Sequence, residues 1–125
     1  MQNALAVGVG GFFGCIARYL VGVLVSRLFD EPTFPLATFI VNIVGCLLIG
    51  FLGTLAETTE LISPPLQLFL IVGFLGGFTT YSAFGYQTLT LMRDGYLSFA
   101  LLNAAAHIIF GLGAVWLGAW LAKQL

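Results

Sequence analysis

Charge is what this chain has least of. Only 4 Lys or Arg and 5 Asp or Glu occur among 125 residues, 7% of the total, against 60% apolar residues. A soluble domain cannot cover its surface with so few ionised groups, so the chain reads as an integral membrane protein of mean hydropathy +1.08. A net charge of −1 without a basic run leaves nucleic-acid binding no electrostatic footing. Lys and Arg are also too scattered for a polybasic lipid patch. With 1 His, 2 Cys and no paired acids, neither a metal cluster nor a general acid–base pair can be assembled, and the sequence does not read as an enzyme. Cys15 and Cys46 each lie inside an apolar run and read as small hydrophobes rather than a disulfide or a metal pair. The N-terminal "MQNALAVG" lacks the basic flank of a secretory signal and reads as the start of a retained first helix.

Crossing about 30 Å of hydrocarbon takes about 20 helical residues. Four such runs are present, at about residues 3–26, 35–56, 66–91 and 96–122. Arg27, Asp30, Glu31 and Pro32 end the first, Glu57 and Glu60 the second, and "RDG" at 93–95 the third. These runs leave no room for a soluble domain, so the expected fold is an all-α, four-span bundle forming a single transmembrane domain over 1–125. One side of the membrane receives Arg27 and Arg93, the other Lys123 and the N-terminal amine. That bias is close to nil. Insertion in both orientations, giving an antiparallel homodimer, and a single orientation set by one or two charges both remain open. Small residues at spacings of four (Gly10 and Gly14; Ala114, Gly118 and Ala122), with Gly45 and Gly53 on one face, predict closely packed helices. Four spans are few for both a core and a path, which favours two copies.

No Asp or Glu lies within any span. A proton-coupled exporter of this size needs an embedded carboxylate, and cation channels tend to use acidic rings. What the spans do hold is Arg18, Asn42, Thr79, Thr80, Ser82, Gln87, Thr88, Asn103 and His107. Polar groups at that depth are costly unless partnered, so each is a functional candidate. Neutral donors with one cation favour an anion. Asn42 offers amide donors, either to an anion or to a neighbouring helix. Arg18 either snorkels to an interface or holds positive potential at a pore mouth. In "GGFTTYSAF" (76–84), Gly76, Gly77, Thr79 and Thr80 predict a break near the middle of the third span. Freed carbonyls at such a break are a means of coordinating Na⁺. Tyr81 and Phe84, three apart, share a helix side; they are core packing or ring edges turned to an anion.

Four motifs together resemble the Fluc family of small fluoride channels: "GGFFGCIARY" (10–19), "PLATFIVNIVG" (35–45), "GGFTTYSAF" (76–84) and "GLGAVWLG" (111–118). They span essentially the whole chain in the family's order. The resemblance implies a dual-topology, antiparallel homodimer in the inner cell membrane, bathed in lipid, with two fluoride pores. It also implies a central structural Na⁺ held by the carbonyls of Gly76 and Thr79. The fluoride pathway maps to Asn42, Tyr81, Ser82 and Phe84, continuing along the fourth span through Asn103 and His107. The implied role is passive fluoride efflux.

Departures from the pattern are Tyr81 where Phe is usual, Ala83 where Thr is common, Ala37 where Gly is usual, and Asn103, His107 and Gly111 where Tyr and Ser often stand. His107 is either a neutral imidazole donating across to another helix or a pore residue that makes conductance depend on pH. Two other functions fit a chain of this kind: a small dual-topology exporter of another substrate, and a non-conducting partner in a heterodimeric fluoride channel.

Overall fold

The computed structural model describes residues 1–30 and 33–125; Glu31 and Pro32, expected at the end of the first span, lie outside the described residues. The described residues are helical, with no strand among them. Among the described residues, four helices are long and apolar enough to cross a membrane: Gln2–Leu28, Leu36–Thr58, Pro64–Arg93 and Leu97–Ala122. Each end falls within two residues of the expectation. The chain is a multi-pass membrane protein. At most 22% of any span's most apolar window is buried inside the chain, so hydrocarbon faces outward on all four.

The first span packs on the first half of the third, and the second span packs on the fourth. Both pairings depend on missing Cβ atoms. A Cβ on Gly14 would strike the Phe74 carbonyl, one on Gly118 the Leu47 carbonyl, and one on Gly50 the Val115 carbonyl. These are the close backbone approaches that hold helices together in lipid. Gly45 likewise makes room for the Thr79 methyl, whereas Gly53, on the same face, meets nothing within 4 Å.

The third span is a composite. Pro64 and Pro65 occupy its first turn, where a missing N–H costs nothing. Residues Leu68–Leu75 are wound as a π-helix, and one further helical turn, Gly76–Phe78, follows. Thr79 (φ −79°, ψ 158°) and Thr80 (φ −150°, ψ 112°) are then extended, and helix resumes over Tyr81–Arg93. The expected break is present within Gly76–Thr80 and is confined to its two threonines, Gly76 and Gly77 staying helical. Gly77 serves close packing instead: a Cβ there would lie 2.6 Å from the Gly11 carbonyl of the first span.

A tight turn joins the third and fourth spans. Gly95, at φ 84°, takes the left-handed conformation that ends the helix. Tyr96 N–H returns to the Leu91 carbonyl at 2.8 Å and Gly95 N–H to Met92 at 3.3 Å, the Schellman pattern.

Candidate functional site

The break presents two helix ends to each other at mid-membrane. Gly76–Phe78 ends the first half with its carbonyls, and Tyr81–Arg93 begins the second half with its N–H groups. Opposite partial charges therefore face the gap from its two sides. Thr80 N–H, which in a continuous helix would reach the Gly76 carbonyl, donates to Asn42 Oδ1 at 2.8 Å. Asn42 Nδ2 in turn donates to the Thr80 carbonyl at 3.1 Å. One amide thus holds both backbone groups of Thr80, standing in for the lost helical bonds. An amide nitrogen has two donors; the second is not engaged by any described residue. Thr80 Oγ1 caps the second half by accepting Ala83 N–H at 3.2 Å. Thr79 Oγ1 is satisfied locally, donating to the Leu75 carbonyl at 2.8 Å.

Arg18 crosses from the first span and donates from Nη1 to the Thr79 carbonyl at 3.4 Å. Its other Nη lies 3.6 Å from Cys15 Sγ. The guanidinium is tethered at the break rather than extended to an interface. It lines a small cavity of about 220 Å³ with Thr38, Val41 and Thr80.

A larger groove of about 440 Å³ runs along the break, lined among others by Asn42, Gly76, Thr79, Tyr81, Phe84 and His107. Four of the six pathway residues expected from sequence thus come together on it. Ser82 and Asn103 do not. Ser82 is exposed on another side of the helix, its Oγ 3.3 Å from Thr80 Oγ1. Asn103 is 0% exposed and sits between the third and fourth spans, donating from Nδ2 to Thr88 Oγ1 at 2.8 Å. Thr88 passes its own proton to the Phe84 carbonyl at 2.7 Å.

His107 does not donate across to another helix. Its Nδ1 is 2.9 Å from the carbonyl of Asn103, one turn back on its own helix. Its ring lies against Phe84 (centroids 4.5 Å apart) and meets Phe39 edge to face at 5.3 Å. Tyr81 extends this row beyond Phe84 at 5.6 Å, and Phe34 extends it beyond Phe39 at 5.6 Å. The outcome is a continuous aromatic row from the start of the second span to the break. Sequence reading missed Phe39 and Phe34. The signal was there for Phe39: with Asn42 and Cys46 it falls at i, i+3 and i+7, one stripe of the second span.

The sequence of this four-span chain has known relatives. A family model described as CrcB-like protein, Camphor Resistance (CrcB), matches residues 5–119. The chain belongs to the CrcB-like family. Relatives of this CrcB-like chain include a protein of Chlorobaculum tepidum named "Fluoride-specific ion channel FluC", 49% identical over 98% of this chain and 96% of its own length. A protein of that name from Chlorobium luteolum is 48% identical over 97% of this chain and 92% of its own. Another, from Methylobacillus flagellatus, is 44% identical over 99% and 97%.

Proposed function

We propose that this CrcB-like chain is a channel, not an enzyme, that lets fluoride leave the cell passively across the inner membrane. The observation that carries this reading is the near-full-length identity to proteins named as fluoride-specific channels. The local chemistry agrees with it. Fluoride is small and strongly hydrated, so a selective path must replace water with closely spaced donors. The unengaged N–H of Asn42, the N-terminal end of the Tyr81–Arg93 half-helix and the ring edges of Tyr81 and Phe84 supply such donors along the groove. Arg18 adds positive potential beside the break without entering the groove. Ser82 lies off the groove, and the Asn103 amide and Thr88 hydroxyl are engaged with each other between the third and fourth spans.

In this reading the chain works as an antiparallel homodimer in lipid, and a Na⁺ on the dimer axis fastens the two copies. The residues present suit the ion. The Gly76 carbonyl has lost its helical donor to Asn42, Gly76 faces open space, and the carbonyl end of the half-helix favours a cation. Thr79 would contribute the second carbonyl, with one lone pair left beyond its contact to Arg18. When bound, such an ion would neutralise the partial negative charge of these carbonyls.

Fluoride-electrode recording of efflux from vesicles containing the chain alone tests the proposal against its Phe84→Ile variant. Wild type is expected to release fluoride rapidly, and the variant, which keeps apolar volume but loses the ring edge, at least about tenfold more slowly. Silence of the wild type in this assay points instead to the non-conducting partner of a heterodimer. Equal rates would remove the aromatic row from the path.

A further inference from the structure

Beyond the break the third and fourth spans meet as an antiparallel pair with two rungs. Asn103 Nδ2 donates to Thr88 Oγ1 at 2.8 Å, and one turn along each helix His107 lies against Phe84, ring centroids 4.5 Å apart. The first rung is 0% exposed at Asn103, so slipping the register would strand a buried amide. The second rung is a wedge. The imidazole stands between Phe84 and Phe39, which it meets edge to face at 5.3 Å. Its rotation is fixed by Nδ1, which donates to the Asn103 carbonyl at 2.9 Å, a carbonyl being able only to accept. Nε2 is buried and has no partner among the described residues. Neither ring nitrogen is therefore offered to the groove that His107 lines. What the residue presents to Phe84 is a flat surface held in place from two sides.

We propose that His107 is the positioning residue for Phe84: by backing that ring it sets the edge that fluoride meets, and with it the discrimination against chloride. This rests on the reading of the chain as a fluoride channel. Phe84 is only half-buried, so its groove side does not fix its rotamer and the ring is held by what stands behind it. Tyr81 flanks it at 5.6 Å but is itself exposed and supplies little restraint. A ring edge is a weak donor. It helps a small anion only if it is already aimed, because reorienting it on arrival would consume what the contact gains. A backed ring also keeps the slot narrow, which is the condition for turning away a larger anion. With nothing behind it, Phe84 could tilt toward the fourth span and open the slot to chloride.

4-Fluorophenylalanine incorporated at position 84 of the full chain in nanodiscs reports the ring directly. In the otherwise native chain one fluorine resonance is expected, displaced from its unfolded-chain value by the adjoining rings. Its dipolar coupling to the carbon-13-labelled ring of the chain's 1 histidine is expected to be resolved, a measurement that needs no variant. His107→Asn keeps an amide donor where Nδ1 stands but has no ring, and the resonance is expected to move toward the unfolded value or to split as Phe84 samples several rotamers. His107→Phe keeps a ring and loses only the Nδ1 bond, and is expected to hold the single displaced resonance. In vesicles with unlabelled protein, the ratio of fluoride to chloride release is expected to fall at least about tenfold in His107→Asn and to return to within about threefold of wild type in His107→Phe. A side chain that only stabilised the fold would change the yield of folded protein, not this ratio or the resonance. No coupling in the native chain, a His107→Asn protein with the native resonance, or a His107→Phe protein that behaves like His107→Asn would each overturn the proposal. Native selectivity that persists in His107→Asn defeats this proposal alone. Absence of fluoride release from the native chain defeats the channel reading, and the proposal with it.

Discussion

Asn42→Leu removes both ends of the clamp on Thr80 while keeping side-chain volume nearly constant. In the native chain one amide accepts from Thr80 N–H at 2.8 Å and donates to its carbonyl at 3.1 Å. Interhelical hydrogen bonds within membranes contribute about 0.6 to 2 kcal/mol each, so losing two costs roughly 1 to 4 kcal/mol. The upper part of that range applies here, because Thr80 is extended and has no helical partner to fall back on. The Thr80 N–H can recover only by re-forming a continuous helix toward Gly76, which would erase the break. Reversible unfolding in detergent or bicelles measures the stability loss, and fluoride efflux from vesicles measures the functional one. Both are expected to fall together. Asn42→Asp separates them: a carboxylate still accepts from Thr80 N–H but puts negative charge on the groove, so efflux should fall further than stability does. An Asn42→Leu protein as stable as wild type, with unchanged efflux, would refute the clamp.

Other consequences follow from packing and pairing. Gly14→Ala pushes a methyl into the Phe74 carbonyl and is expected to cost about 1 to 3 kcal/mol, whereas Gly8→Ala on the same helix meets nothing within 4 Å and should be close to neutral; equal effects in unfolding measurements would contradict the packing. Thr88→Val leaves Asn103 Nδ2 without an acceptor in a fully buried position, a loss of about 1 to 3 kcal/mol. Adding Asn103→Leu to it should restore most of that, a coupling read by a double-mutant cycle. Gly95→Ala forces a Cβ into a left-handed turn at φ 84° and should cost about 1 kcal/mol of thermal stability.

Much of the fold was legible because lipid imposes length and hydropathy on each span, and those are local properties. The four ends, the paired prolines at Pro64 and the turn at Gly95 needed no tertiary information. The break was legible in kind and place, within Gly76–Thr80, but not in which of those residues leave the helix. Gly76 and Gly77 are weak helix formers, yet they stay helical because Gly77 is used for contact with the first span. The chain opens where Asn42, 38 positions away, captures Thr80. No local propensity encodes that pairing. Ser82 lies on the same half-helix as Tyr81 and Phe84 but one position on from Tyr81, which turns it to another side, away from the groove. Tyr81 and Phe84, three apart, share the groove side as their spacing implied. For Asn103 and His107 the spacing of four was visible, but not that the imidazole would bond back to its own helix while Thr88 took the asparagine. The π-helical winding over Leu68–Leu75 had no signature in residue type.

The measurement that bears most directly on the whole account is paired anion release from vesicles holding only this chain, with fluoride-selective and chloride-selective electrodes in the same preparation. A slot lined by neutral dipoles and ring edges should release fluoride and retain chloride over the same period. Comparable release of both anions, or none of either, would contradict it.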